Sequence, residues 1–106
     1  MIVYRKEGLF SYCGWPTVAK DKDGVIYTVF SGNRIGHVCP FGKNLMVVSR
    51  DDGKTWSDPI IVNDSSLDDR DAGILCLENG KKVLSWFCHS ESFYMDYYSE
   101  VLRTVE

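Results

Sequence analysis

Seven residues of this 106-residue chain carry the side chains from which a site can be built: Trp15, Arg34, His37, Asp68, Asp69, Arg70 and Asp71. The guanidiniums of Arg34 and Arg70 suit bidentate binding of a carboxylate. An imidazole titrating near neutrality, as at His37, serves as a general acid or base, or simply orders a loop through hydrogen bonds. The carboxylates of Asp68, Asp69 and Asp71 either act as bases or hold the arginines, and D-D-R-D reads equally well as a solvated ion-pair cluster. The indole of Trp15 is a stacking plate for a sugar ring. On these types, His37, Asp69 and Asp71 are the catalytic candidates, and Trp15, Arg34, Arg70 and Asp68 the substrate-binding ones. Cys13, Cys39, Cys76 and Cys88 lack C-x-x-C spacing and are not paired with His37 or His89 at zinc-finger spacing, so they read as reduced, mostly structural thiols. Neither a metal nor a cofactor is expected.

Short β-type runs separated by turn signals must position these residues. Ile2 to Arg5 reads as an edge strand. Trp15 to Lys20 and Val25 to Phe30 flank the hairpin signal Asp21-Lys22-Asp23-Gly24, in which glycine supplies a positive φ. Leu45 to Ser49 precedes the turn Asp51 to Lys54 and the run Ile60 to Val62. Ile74 to Leu77 and Val83 to Cys88 flank Glu78-Asn79-Gly80-Lys81. Ser31 to Asn44 and Asn63 to Asp71 read as loops. The strand–turn–strand unit at Thr17 to Phe30 recurs at Ile74 to Phe87, with Gly24 and Gly80 56 residues apart. The period is somewhat longer than the roughly 40–50 residues of common propeller blades, each of which is four antiparallel strands. Residues 1–62 form the first blade with its N-terminal edge strand, and residues 63–106 a partial second blade, all within one domain. From Ser90 the apolar spacing turns helical, and a short C-terminal helix is expected there.

In an up-and-down blade the loops Ser31 to Asn44 and Asn63 to Asp71 share one end, onto which Trp15 also opens. The turns at Lys22 to Gly24 and Asp51 to Lys54 lie at the other. The topology thus gathers the seven candidates on one face.

Composition narrows the partners. Apolar residues make up 44% and charged residues 25%, ordinary values for a packed core, and 13% aromatic suits a sheet-rich protein. The net charge of −3, without a basic stripe, argues against nucleic acid. No apolar run approaches the roughly 20 residues of a membrane-spanning helix, so no membrane partner is expected. The N-terminus lacks a signal-peptide layout. The chain reads as cytoplasmic as written, or as secreted or periplasmic if a signal has been removed.

Ser49 to Trp56, S-R-D-D-G-K-T-W, matches every specified position of the Asp box, S-x-D-x-G-x-T-W: Ser49, Asp51, Gly53, Thr55 and Trp56. Each has a local structural reason, with glycine at the corner, hydroxyls and carboxylate on turn amides, and an indole on the adjoining strands. With W-P-T-V at Trp15, H-V-C-P-F-G-K at His37 and L-D-D-R-D-A-G-I at Leu67, the chain resembles the first part of BNR/Asp-box, sialidase-like proteins, from Met1 to about Phe87. The resemblance implies an all-β, six-bladed propeller of which this chain holds about one and a half blades. It also implies a glycoside hydrolase acting on a terminal sugar through an axial arginine triad, an Asp acid/base and a Tyr–Glu nucleophile. The family's R-I-P falls on Gly14-Trp15-Pro16, and the loop for the acid/base Asp falls on Ser31 to Asn44, which has no acidic residue. This short chain is therefore expected to be inactive alone. The alternative is a non-catalytic carbohydrate-binding or structural segment. Carbohydrate is the expected partner, along with a homo-oligomer that completes the propeller.

Overall fold

The computed structural model describes residues 2–89, and the helix expected from Ser90 onward lies outside them. The described residues are all-β. Strands β1 (Tyr12–Lys20), β2 (Ile26–Arg34), β3 (Lys43–Ser49) and β4 (Ile60–Asn63) form one antiparallel sheet in sequence order. Strands β5 (Asp68–Cys76) and β6 (Lys82–His89) form a second, two-stranded sheet. β5 lies against β1, β2 and β3, and so joins the smaller sheet to the larger.

β2 and β3 are the best-buried strands, because their I-Y-T-V-F and L-M-V-V runs are covered on both sides. Phe30, Leu45 and Val47 form the core cluster on the face away from β5, with Val3, Tyr4 and Trp56 packed against it. This placement corrects the edge strand expected at Ile2 to Arg5. The Tyr4 ring lies 5.1 Å from that of Phe30, so the segment rests across the sheet face and is not assigned as a strand. Two further corrections concern loops. β2 runs through the polar S-G-N-R to Arg34, which shortens the connection to β3 to residues 35–42. Asp68 to Asp71, read as loop, are the first residues of β5.

The 56-residue repeat is structural. In both hairpins the residue before the turn donates to the residue closing it: Asp21 N to Val25 O (3.0 Å), and Leu77 N to Lys81 O (2.8 Å). Gly24 and Gly80 both take φ 86°. The register is the same: Ala19↔Tyr27 matches Leu75↔Val83, Val18↔Thr28 matches Ile74↔Leu84, and Gly14↔Ser31 matches Arg70↔Phe87. The irregularity between Gly14 and Thr17 recurs between Arg70 and Gly73. Inside each lies a non-glycine residue with positive φ, Trp15 at 54° and Asp71 at 55°.

Candidate functional site

Consecutive antiparallel pairing puts the connections 35–42 and 64–67 at the same end of the two sheets, with the three hairpin turns at the other. At the first end the structure brings together the residues named from the sequence, but in two layers.

The inner layer is enclosed. Arg34, at the end of β2, has no exposed surface. It donates from Nη2 to Asp68 Oδ1 (2.6 Å) and to the His37 carbonyl (3.1 Å), and from Nη1 to the Asp69 carbonyl (3.2 Å). Asp68 is equally buried and also accepts from the Cys39 amide at 3.2 Å. This pair ties the 35–42 connection to β5. Gly42 is part of the packing: a Cβ there would collide with the Arg34 guanidinium and the Asp68 carboxylate. Asp69, buried as well, accepts from Ser65 N (2.6 Å), Ser65 Oγ (2.7 Å) and Cys88 Sγ (2.9 Å). Burial is the largest influence on its carboxyl and pushes its pKa up. The bonds from Cys88 and Ser65 outweigh it and hold the pKa below the ordinary value. The same contact raises the Cys88 thiol. Arg34, Asp68 and Asp69 thus spend their polar atoms on the protein itself, where the sequence reading had one binding arginine, one binding carboxylate and one catalytic carboxylate.

The outer layer is reachable at Trp15, His37 and Asp71 and nearly closed at Arg70. Trp15 is half-buried, while His37 and Asp71 are exposed. The Trp15 ring lies 4.8 Å from the His37 ring in an edge arrangement. It also lies 5.2 Å from the Arg70 guanidinium and 5.8 Å from that of Arg34. Arg70, 8% exposed, is stacked between Trp15 and Phe87, the latter at 5.8 Å. Its polar contacts are long: 3.4 Å from Nη2 to the His37 carbonyl and 3.7 Å from Nη1 to Asp68. Its Nε has no hydrogen-bond partner. Two guanidiniums therefore share one carboxylate, with Asp69 turned toward Ser65 and Cys88, and Arg70 is the one held by the longer contact. The Asp71 backbone amide donates to Ser31 Oγ at 2.9 Å, which fixes the bulge against β2.

The left-handed φ of Trp15 and Asp71 takes both out of the strand alternation, and the Trp15 ring lies over this end. Sequence reading missed Phe87 as the second ring on Arg70. Its signal was the repeat, because Phe87 occupies in β6 the place of Ser31 in β2.

The four cysteines are free thiols, with Cys39 buried and Cys88 exposed. Among the described residues no three His, Cys, Asp or Glu side chains converge to hold a metal ion, and no helix is long and apolar enough to cross a membrane.

At the opposite end, the turn after β3 is closed by its own side chains. Asp51 Oδ1 accepts from Ser49 Oγ (2.9 Å) and from the Thr55 amide (2.8 Å), and Oδ2 accepts from Thr55 Oγ1. The Gly53 amide donates to Ser49 Oγ at 2.8 Å. Thr55, first through its hydroxyl and then its amide, holds the Asp51 carboxyl at about 2.

Comparison with protein-family models, curated proteins and solved structures returned no match.

Proposed function

We propose that this chain is a carbohydrate-binding segment of a sialidase-like β-propeller, and that it recognises a sugar bearing a carboxylate. The observation that carries this reading is Arg70. It is a guanidinium stacked between Trp15 and Phe87, with only long polar contacts and an unpartnered Nε, beside the exposed His37 and Asp71. Such a group, just beneath a face that also offers an indole, suits an anionic ring: the charge binds the carboxylate and the aromatic surface the sugar. The Asp-box match at Ser49 to Trp56 and the 56-residue structural repeat support the propeller part of the reading. Binding without hydrolysis is preferred because two of the three carboxylates, Asp68 and Asp69, are enclosed and engaged. Most glycoside hydrolases need two carboxyl groups flanking the bond they cleave.

Titration calorimetry of the full chain with N-acetylneuraminic acid, glucuronic acid and galactose tests this. Both acidic sugars are expected to bind and the neutral one not to. Trp15→Ala and Arg70→Lys should each weaken binding at least tenfold, about 1.4 kcal/mol at 25 °C. Equal binding of galactose would refute the charge-based reading.

Hydrolysis is the second reading, favoured by the strained backbone of Asp71, since φ 55° at an exposed carboxylate is the kind of conformation found at active sites. Release of nitrophenol from aryl glycosides, abolished by Asp71→Asn and by His37→Ala, would establish it. An absence of turnover across the panel would remove it.

A further inference from the structure

The repeat also says what should cover two apolar faces that stay exposed in part. Within the chain, one face of the β1–β2 hairpin packs against the opposite face of the β5–β6 hairpin. Ala19, Tyr27 and Val29 belong to the first, and the Lys82 ammonium sits 4.9 Å above the Tyr27 ring. Lys82 is paired with Cys76 and lies on the same side of β5–β6 as the Ile74–Leu84 pair, which is half-buried. At the 56-residue offset, Ile74 and Leu84 correspond to Val18 and Thr28, and Leu75 and Val83 to Ala19 and Tyr27.

Each half of this contact is therefore repeated once more on the molecule: the N-terminal segment covers the first copy over Phe30 but leaves Val18 exposed, and the outer face of β5–β6 is exposed at Leu75 and Val83. Val18, 61% exposed, lines with Thr28, Phe30 and Val3 an apolar groove of about 450 Å³ between the N-terminal segment and β1. Leu75, 58% exposed, and Val83, 50% exposed, form the outer face of β5–β6. The groove is the side that, in the second repeat, meets the first. The outer face of β5–β6 is the side that, in the first repeat, meets the second.

We infer that the Leu75–Val83 face of one copy docks into the Val18 groove of a second copy, so that the packing inside the chain continues between chains, head to tail. The contact is heterologous: the two surfaces are different, and every copy carries one of each. A series of such contacts closes into a ring or grows as a filament, according to the rotation at each step. This inference rests on the internal repeat and stands independently of sugar binding.

Light scattering coupled to size exclusion, on the full chain over a hundredfold range of concentration, should give masses at multiples of the monomer. Val18→Glu and Val83→Glu each block one surface, and each should be monomeric alone. Mixed in equal amounts they should form a dimer and nothing larger, because one intact groove and one intact outer face remain between them. Both positions are exposed, so far-UV circular dichroism should be unchanged; Leu75→Lys provides a second block of the outer face. A wild-type monomer at every concentration would overturn the inference, the faces then being covered by the chain's own remaining residues. So would oligomers that survive either substitution, or single variants that fail to complement each other.

Discussion

The carboxylate of Asp51 accepts three hydrogen bonds within its own turn, and two of them come from Thr55. Its pKa is accordingly about 2 in the folded chain, against an ordinary value of 3.8. A carboxyl whose pKa is depressed by folding contributes stability that is complete above the unfolded value and is lost as pH falls through the folded one. Between pH 4 and pH 2 the urea midpoint of the wild type should therefore fall. Asp51→Asn should begin lower at pH 7 and vary less across that window. Equal slopes for the two proteins would show that the turn does not govern acid sensitivity. Gly53, at φ 87°, is the other half of the turn. An alanine there is expected to cost about 1 kcal/mol in the same unfolding assay, because a side chain disfavours that region. These residues were legible in the sequence, since every bond in the turn is local: the partners lie within four positions of one another.

At the scale of elements, legibility followed locality again. Val25 to Phe30 and Leu45 to Ser49 announce strands through their own β-branched and aromatic residues, and all three hairpin turns announce themselves through glycine. What stayed hidden was every stretch whose form depends on a distant partner. S-G-N-R at the end of β2 has no strand signal of its own. It is extended because Asn44 and Lys43 pair with Ser31 and Gly32, and because Arg34 finds Asp68. D-D-R-D reads as solvated loop, yet it is strand because β6 pairs with it and Arg34 neutralises its first carboxylate. Topology placed the candidates at the end of the sheets where the strands put them, but the two layers were not foreseeable. Nothing in the residue types distinguishes the enclosed Arg34 from the nearly enclosed but under-bonded Arg70. The bulges at Trp15 and Asp71 were equally silent, and they carry a stability prediction of their own. Asp71 is exposed at φ 55°, so Asp71→Gly should relieve strain and raise stability by about 0.5–1 kcal/mol. Asp71→Ala should not. If both substitutions destabilise in denaturant titrations, the strained backbone is not where the cost lies.

Across the whole molecule the two sheets are joined at the site end by an ion pair and at the other end by Lys82, which reaches Tyr27 and Asp21. The two joints differ in kind. Lys82 lies 3.8 Å from Asp21, whereas Arg34 and Asp68 are fully enclosed at 2.6 Å. Removing one member of a buried pair leaves an uncompensated charge, which costs about 3–5 kcal/mol and exceeds what the pair itself contributes. Asp68→Ala should incur that loss. Because Asp68 is on β5 and Arg34 on β2, the loss should fall mainly on the docking of the smaller sheet. Amide exchange followed by mass spectrometry would then show β5 and β6 losing protection while β2 and β3, buried on both faces, keep most of theirs. Arg34→Met combined with Asp68→Leu should recover part of the stability, since it removes both charges at once. A uniform loss of protection over all six strands would mean that the sheets unfold as one unit, and that the ion pair stabilises the whole fold instead of the contact between its two repeats.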